Sequence, residues 1–355
     1  MSNESKQPAA KAKTLSAKQV GNLVLDNALY ILMVIAVIVI QVVNPNFLRP
    51  ASLVNILSQT AAYLPAALGI AGCIVLTGTD LSAGRAVGLT ACISASLLQV
   101  AGSASKMWPE LGTLPVALVI LIAVLLGAAI GAFNGFFVAK FKLHPFIVTL
   151  GTQLILYSCL LLYVQMGNNG GMAISSLDAS YTDFVKGSFI SVPTGNGTST
   201  PIPNYVWFAI LLAALMWFIW NKTTFGKNMF ALGSNEEAAR VSGVNVFATT
   251  ILVFALAGAM YGWTGFVEGA RIGSNTANTG FNYELDAIAA CVIGGVSFVG
   301  GIGKIRGIII GVLLLRLIFV GLNMASVPQD LIYLVKGGII LFACALDMRK
   351  YLVKK

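Results

Sequence analysis

The feature that most constrains this chain is a succession of apolar segments separated by short polar stretches. Most of them approach the roughly 20 mainly apolar residues that a helix needs to cross a membrane. Because lipid offers the backbone no hydrogen-bond partners, such segments form helices. The sequence therefore predicts an all-α, polytopic membrane protein with about ten transmembrane helices. They are predicted near residues 28–43, 62–77, 86–101, 115–138, 146–166, 205–220, 246–266, 287–298, 307–322 and 331–346.

The composition supports a membrane protein and argues against a soluble enzyme. The chain is 57% hydrophobic and 10% charged, whereas soluble domains are about 45–50% apolar and about 25% charged. Its five cysteines all lie in apolar runs, and its one histidine is His144. We therefore expect the cysteines to pack as buried hydrophobes, and we expect neither a metal site nor a histidine-based catalytic triad.

Motifs that would give the chain a reaction of its own are missing from the sequence. It contains no GxxxxGK[ST] segment to cradle phosphates, so we expect this chain to bind no ATP and no other cofactor. The glycine-rich run Gly294–Gly303 instead predicts a tight break between the eighth and ninth helices. The longest polar stretch, residues 167–204, is either a lid or docking surface or a tolerated insertion. We expect a protein that moves a solute rather than transforming it.

The basic residues give the predicted helices a direction. If residues 1–27 form a cytoplasmic tail and the segments alternate, most Lys and Arg residues fall on the cytoplasmic side, as membrane insertion favours. Outside that tail they are Arg85, Lys140, Lys142, Lys222, Lys227, Arg240, Lys304, Arg306, Arg349, Lys350, Lys354 and Lys355. This pattern predicts a bacterial inner-membrane protein with both termini cytoplasmic, residues 349–355 forming the C-terminal tail. Because these charges are scattered, the net charge of +9 does not indicate nucleic-acid binding.

Polar residues between the second and third segments form a first candidate site. Asp80, Ser82 and Arg85 lie in this short stretch. Carboxylates at membrane depth are costly and usually face the protein interior or a hydrated cavity. These residues are therefore candidates for a translocation path or gate. The alternatives are a local ion pair between Asp80 and Arg85, or capping of the following helix by Asp80 or Ser82.

A second candidate site surrounds the outer loop after the seventh segment. Its polar residues are Glu268, Arg271, Asn275, Glu284 and Asp286. Such polar density beside a span favours a hydrated mouth, where polar side chains can bond sugar hydroxyls and aromatic rings can stack on the sugar. The nearby aromatic residues are Tyr261, Trp263, Phe281 and Tyr283. An aromatic belt at the membrane interface explains some of these equally well.

The polar loop at residues 222–245 predicts a short helix outside the membrane. Asn235 can cap its start, and Glu236 and Glu237 in its first turn suit the helix dipole. Gly243 marks its end. Lying flat on lipid is one interpretation, but two adjacent acids would then face anionic lipid. Docking onto a cytoplasmic protein fits better.

The residues Glu237, Ala238 and Ala239, followed by Gly243, resemble the EAA-x3-G pattern of ABC importer permeases. In that family the helix sits in a groove of the ATPase and transmits its closure. The later part of the pattern is absent, which separates this chain from the maltose-type permeases. The resemblance implies an ATPase-coupling role for Phe225, Gly226, Asn228, Gly233, Asn235, Glu237, Ala238, Ala239 and Gly243.

From residue 44 to residue 351 the chain resembles the monosaccharide permeases related to the ribose and galactose uptake systems. The motifs that carry the resemblance are residues 78–85, 145–152, 242–245, 269–274 and 283–295. Arg85 and residues 271–274 resemble the galactose/methyl-galactoside branch more than the ribose branch.

This resemblance implies a permease domain over residues 28–348, embedded in membrane lipid and working as a homodimer around a central path. One fused polypeptide with two ABC ATPase domains would lie beneath it and hold ATP and Mg. A periplasmic or lipid-anchored sugar-binding protein would dock outside. ATP binding would then switch the path from one side of the membrane to the other.

Other functions stay open beside hexose import. A permease of the same superfamily could carry ribose, a nucleoside or another small polar solute. An ion-coupled secondary carrier would need an ionisable pair deep within a span, whereas the spans hold only Arg316 and Lys336 and the acids lie near loops. A membrane scaffold or enzyme is the remaining alternative, and the missing catalytic residues argue against the enzyme.

Overall fold

The computed structural model describes residues 28–195 and 198–352, which are mostly helical. The predicted N-terminal tail, residues 1–27, and the last three residues of the predicted C-terminal tail lie outside them. The helices are α1 (Ala28–Val43), α2 (Pro50–Val75), α3 (Ala83–Leu97), α4 (Val116–Phe141), α5 (Pro145–Gln165), α6 (Ala179–Lys186), α7 (Asn204–Lys222), α8 (Thr224–Ser234), α9 (Glu236–Val241), α10 (Val246–Ile272), α11 (Tyr283–Ile293), α12 (Ile305–Met324) and α13 (Gln329–Leu352). An antiparallel hairpin, β1 (Ile190–Gly195) and β2 (Thr198–Ile202), departs from the all-α prediction and lies within the longest loop.

Each predicted apolar segment overlaps one helix of the structure. Within the described residues, six helices are long and apolar enough to cross a membrane, by length and composition: α2, α4, α5, α7, α10 and α12. Three others are shorter, since α1, α3 and α11 have 16, 15 and 11 residues. α3 and α11 are short because a non-helical stretch precedes each of them, residues 76–82 and residues 273–282.

Glycines bring α4 and α10 into backbone contact. Gly127 and Gly131 on α4 face Gly258 and Gly262 on α10, so each helix presents a small-xxx-small pattern to the other. A Cβ added to Gly127 would overlap the Gly258 carbonyl, and one on Gly258 would overlap the Gly127 carbonyl. Membrane helices use such close approach because lipid provides no hydrophobic force to drive them together. α10 also packs on α2 and α3, and it is therefore the helix around which the bundle is built.

Several loops gather at one end of the bundle, which we call the coupling-loop end. It is formed by residues 76–78, 142–145, 233–236 and 299–303. Gly78 packs against Pro145, and the Gly301 N–H donates to the Val75 carbonyl at 2.9 Å. The predicted glycine-rich break is confirmed, because residues 294–304 are non-helical and Gly295, Gly300 and Gly301 have positive φ.

The remaining long loops gather at the other end of α4 and α10, which we call the long-loop end. It contains residues 98–115, 167–195, 198–203 and 273–276. Gln99 is fully buried there, where its Nε2 donates to the Ser175 carbonyl and its Oε1 accepts from Met107 N–H, both at 2.8 Å. Tyr181 of α6 is also fully buried, and its hydroxyl donates to the Phe266 carbonyl of α10. The longest loop is therefore packed onto the bundle rather than loosely inserted.

Candidate functional site

The N-terminal ends of the two short helices α3 and α11 meet inside the bundle. Gly84 in the first turn of α3 lies so close to α11 that an added Cβ would overlap the Glu284 carboxylate and the Gly280 carbonyl. α5 passes this meeting point with Gln153 and Tyr157, which flank the middle of its 21 residues. At about 1.5 Å of rise per residue, both lie within about 3 Å of the α5 midpoint along its axis. The meeting point is therefore near the middle of the bundle.

Arg85 lies at this meeting point, framed by aromatic rings. Its Nη1 donates to the Ala277 carbonyl at 3.1 Å. Its guanidinium carbon lies 4.2 Å from the centre of the Tyr157 ring and 5.3 Å from that of Phe281. Arg85 takes part in none of the ion pairs found among the described residues. The alternative of a local ion pair with Asp80 is therefore wrong.

Glu284 supplies the acid of the same cluster. It is 5% exposed, and its Oε1 is 3.4 Å from Gln153 Nε2. Gln153 was not predicted as a site residue, although a polar side chain at the centre of an apolar span usually faces protein interior or a hydrated space. We call Arg85, Gln153, Tyr157, Phe281 and Glu284 the central cluster.

Asp80 belongs to a chain of buried hydrogen bonds. Its Oδ1 accepts from the N–H and the hydroxyl of Ser82 at 3.0 and 2.6 Å. Ser82 Oγ accepts from Asn134 Nδ2 at 2.9 Å, and Thr152 Oγ1 donates to Asn134 Oδ1 at 2.7 Å. Ser82 is the N-cap residue of α3, but its side chain makes no cap bond, so the idea that Ser82 caps the helix is wrong. The chain instead ties the start of α3 to α4 and α5.

Asp286 forms a buried ion cluster with Arg316 and Lys336, which the sequence did not reveal. We call these three residues the ion triad. The Asp286 Oδ2 is 2.5 Å from Arg316 Nη2, and its Oδ1 is 2.8 Å from Lys336 Nζ. The Arg316 guanidinium carbon also lies 3.4 Å above the Tyr63 ring. The sequence led us to expect that the acids lie near loops, away from Arg316 and Lys336 in the spans. This expectation is wrong for Asp286, which pairs with both. Because α11 begins inside the bundle, its first-turn acid reaches the basic residues of α12 and α13.

Glu268, Arg271 and Asn275 hold the long-loop end together. Arg271 donates from Nε and Nη2 to the two Glu268 carboxylate oxygens at 2.7 and 2.8 Å. The Glu268 side chain is fully buried, whereas that of Arg271 is 28% exposed. Asn275 is buried, donates to the Gly269 carbonyl at 2.9 Å and pairs with Ile174 through its backbone. Of these three residues, only Arg271 presents part of its side chain to the exterior.

The short helix predicted in the polar loop at residues 222–245 is α9. The Asn235 carboxamide accepts from Ala238 N–H at 2.9 Å and caps the helix as expected. Gly243 follows with φ of +85°, a conformation that suits glycine at a helix end. The side chain of Glu237 is 77% exposed, and Val241 is 89% exposed. α9 therefore presents an acid and an apolar side chain outward from the bundle.

The other predicted coupling residues differ in exposure. Gly226, Gly233 and Ala239 are buried, Phe225 and Asn228 are half-buried, and Ala238 is exposed. A Cβ on Gly233 would overlap the Val75 carbonyl at the end of α2. Behind α9 lies a cavity of about 680 Å³, lined in part by Lys142, His144, Asn235, Glu236, Arg240 and Phe254. Helix α9 therefore has room behind it.

Comparison with known proteins identifies the family. Residues 52–344 match the family described as branched-chain amino acid transport system / permease component. The chain is 45% identical over 330 residues to the galactose/methyl galactoside import permease protein MglC of Salmonella typhimurium, covering 93% of this chain and 96% of that relative. This chain therefore belongs to the family described as branched-chain amino acid transport system / permease component. The resemblance inferred from the sequence motifs is confirmed.

Two further relatives extend the comparison. The galactose/methyl galactoside import permease protein MglC of Escherichia coli K12 is also 45% identical over 330 residues, with 93% and 96% of the two chains covered. The ribose import permease protein RbsC of Haemophilus influenzae is 32% identical over 329 residues, covering 93% of this chain and 95% of that protein. No solved structure matches this chain.

The aromatic residues expected at the second candidate site do not lie together in one cluster. Phe281 joins the central cluster. Tyr261 is fully buried beside Asp80, and Trp263 packs against Phe208 and Phe266. Tyr283 stacks on Tyr63 with 4.1 Å between ring centres. The predicted polar residues likewise divide among the central cluster, the ion triad and the long-loop end.

Proposed function

We propose that this chain is the membrane permease subunit of an ATP-binding cassette importer that carries a hexose of the galactose, glucose or methyl-galactoside type inward by alternating access. The observation that carries this proposal is the identity to galactose/methyl galactoside import permeases along nearly the full chain. The lower identity to ribose import permeases makes ribose the second candidate solute. ATP hydrolysis belongs to a partner subunit, which holds the ATP and Mg.

The membrane topology that fits this function has ten spans: α1–α5, α7 and α10–α13. The grouping of loops at two ends supports it, because helices that alternate in direction bring every second loop to the same end. The coupling-loop end faces the cytoplasm, together with both termini. Lys142 and Arg240 at that end agree with the excess of basic residues in cytoplasmic loops.

The ATPase-coupling role is assigned to α9 and the loop around it. The exposed side chains of Glu237, Ala238 and Val241 offer a contact surface for the ATPase. The cavity behind α9 gives the helix space to move when the ATPase closes. Two copies of the chain would form a homodimer on a fused double ATPase, and a periplasmic or lipid-anchored sugar-binding protein would dock on the long-loop end.

The translocation path is assigned to the side of the bundle that carries the central cluster. Arg85 and Glu284 lie at the N-terminal ends of α3 and α11, and transporter sites are commonly built from interrupted helices near the membrane midplane. Asp80 and Ser82 position the start of α3. Asp286 anchors α11, and Glu268, Arg271 and Asn275 shape the outer mouth.

Transport in proteoliposomes tests the proposed function. The purified chain is reconstituted with its partner ATPase and sugar-binding protein, and radiolabelled galactose uptake is followed with ATP or with an ion gradient alone. We expect uptake that requires ATP and both partners and that excess ribose does not inhibit. Uptake driven by the gradient without the ATPase would overturn the proposal in favour of an ion-coupled carrier.

The coupling role is tested by charge reversal on α9. Glu237→Lys should weaken co-purification of the ATPase while leaving membrane insertion intact, because an exposed acid of the contact surface changes sign. Glu110→Lys is the matched control, an exposed acid at the long-loop end. Normal ATPase recovery with Glu237→Lys would remove α9 from the interface.

A further inference from the structure

The central cluster has hydrogen-bonding capacity that the described residues do not use. A guanidinium group carries five N–H donors, and Arg85 makes one hydrogen bond, to the Ala277 carbonyl. The Glu284 carboxylate can accept several hydrogen bonds, and Gln153 supplies its one side-chain donor, at 3.4 Å. Charged groups away from bulk water are costly unless polar partners satisfy them. The cluster therefore needs another polar partner.

The other buried carboxylates in the described part of the chain have more of their bonds made within the chain. Asp286 has two basic partners, and Glu268 takes both bonds of a bidentate pair with Arg271. The Asp80 chain is fully buried between helices, and only its Oδ2 lacks a hydrogen bond. The central cluster alone among these groups combines unused donors and acceptors with an open flank.

The open flank consists of an aromatic ring and its apolar neighbour. Phe281 is 55% exposed and Leu285 is 43% exposed, while Gln153 and Tyr157 are half-buried. A guanidinium and a carboxylate near mid-membrane do not face lipid, because hydrocarbon strongly disfavours them. Arg85 and Glu284 behind the flank are 8% and 5% exposed, and a hydrated path or a second protein surface beside them suits these charges better than lipid does.

The chemistry of the cluster matches a neutral polyol. The cluster contains one cation and one anion, so the site carries no net charge that would select an ion. The guanidinium and carboxamide donate hydrogen bonds, and the carboxylate accepts them, which suits hydroxyls that can do both. The exposed Phe281 ring offers an apolar surface to the C–H face of a pyranose.

We propose that the central cluster is a hexose-contact site within the membrane chain itself. Arg85 and Gln153 donate to sugar hydroxyls, Glu284 accepts from one, and the exposed face of Phe281 packs on the pyranose ring. This inference rests on the proposed hexose import and adds that the permease, besides the sugar-binding protein, contacts the sugar. Binding is weak enough for release, because a transport site must let its solute go.

Saturation-transfer NMR on the full chain tests this site directly. The permease in lipid nanodiscs, without the sugar-binding protein, is titrated with D-galactose. We expect a saturable signal from the native chain. The apparent affinity for galactose should fall about tenfold in Gln153→Ala and in Phe281→Ala, which corresponds to a loss of about 1.4 kcal/mol in each. Phe218→Ala and Leu154→Ala are the controls, since these side chains are 52% and 66% exposed on α7 and α5 and lie outside the cluster.

Uptake in the complete system separates this inference from the proposed function. We expect Gln153→Ala and Phe281→Ala to slow galactose uptake at saturating loaded sugar-binding protein while ATPase stimulation persists. A native chain that imports galactose but gives no NMR signal, or variants that match the controls in both assays, would overturn the contact site alone. A native chain without ATP-dependent uptake would overturn the proposed function.

Discussion

Glu284 and Asp286 lie two residues apart in the first turn of α11, yet their surroundings are opposite. Asp286 is enclosed by Arg316 and Lys336 on α12 and α13. Glu284 has no ion-pair partner among the described residues and belongs to a cluster with an exposed aromatic ring. Residues two apart on a helix point to different sides. One turn of α11 therefore supplies a structural anchor on one side and an open polar site on the other.

The difference separates stability from transport within a single helical turn. The ion triad fixes α11 against α12 and α13, so its loss should lower the stability of the folded protein. The central cluster contributes few internal bonds, so its loss should weaken solute transport instead. Substitutions on the two sides of α11 can distinguish these roles.

The largest effect is expected for Asp286→Ala. The substitution leaves Arg316 and Lys336 without their carboxylate, and breaking a buried pair costs about 3–5 kcal/mol. We expect poor recovery of folded protein and a large fall in the thermal unfolding temperature in detergent. An unfolding temperature within a few degrees of the native value would show that the ion triad does not anchor α11.

Glu284→Gln should give the converse result. It keeps the shape of the side chain, removes a charge that has no ion-pair partner and leaves an oxygen to accept from Gln153, so stability should change by less than about 1 kcal/mol. Galactose uptake should fall at least about tenfold, since a charge-assisted hydrogen bond contributes about 1.5–3 kcal/mol. Thermal unfolding and proteoliposome uptake are measured on the same preparation. A loss of stability that matches the loss of uptake would make Glu284 a second structural anchor.

Lys336→Met should have a smaller effect than loss of the acid. Asp286 keeps its 2.5 Å contact with Arg316, and the Lys336 side chain is 19% exposed. We expect a cost of about 1 kcal/mol in the free energy of unfolding. The paired variant Arg316→Met should cost more, because that side chain is more deeply buried. Equal costs would mean that the two basic residues share Asp286 evenly.

Asp178 supplies a half-buried loop carboxylate as reference and should show the smallest effect. It caps α6, and hydrogen bonds from the Ser180 hydroxyl and N–H hold the pKa of Asp178 below its ordinary value. Its stabilising contribution is therefore present at neutral pH and is lost as the pH falls through its lowered pKa. Asp178→Ala should cost less than about 1 kcal/mol at pH 7 and a smaller amount at strongly acidic pH, where the carboxyl is neutral. Unfolding curves for both proteins across this pH range measure the difference.

Local patterns in the sequence predicted much of the fold. The apolar segments located the long helices, because length and hydrophobicity alone decide whether a segment spans a membrane. Asn235 and Gly243 located α9, because capping depends on residues within one or two turns. The glycine-rich run located the break before α12. Each of these features is written within a short window of the chain.

The pairing of side chains between helices was not predictable in the same way. Asp286 meets Arg316 and Lys336 only because residues 273–282 re-enter the bundle before α11 begins. The sequence alone does not reveal this re-entry, so it placed Asp286 near a loop. Gln153 was missed for a related reason, since its partner Glu284 lies 131 residues away. The signal that could have found it is its position at the centre of an apolar span.

The glycine contact between α4 and α10 limits how this molecule can change shape. Where side chains separate two helices, the helices can slide as rotamers adjust, but here backbone meets backbone at Gly127, Gly131, Gly258 and Gly262. α4 and α10 therefore form a rigid strut through the bundle. α5 has no such contact, because a Cβ added to its one glycine, Gly151, would meet no other part of the chain within 4 Å. We therefore expect α5, which carries Gln153 and Tyr157 of the central cluster, to tilt against this pair more readily.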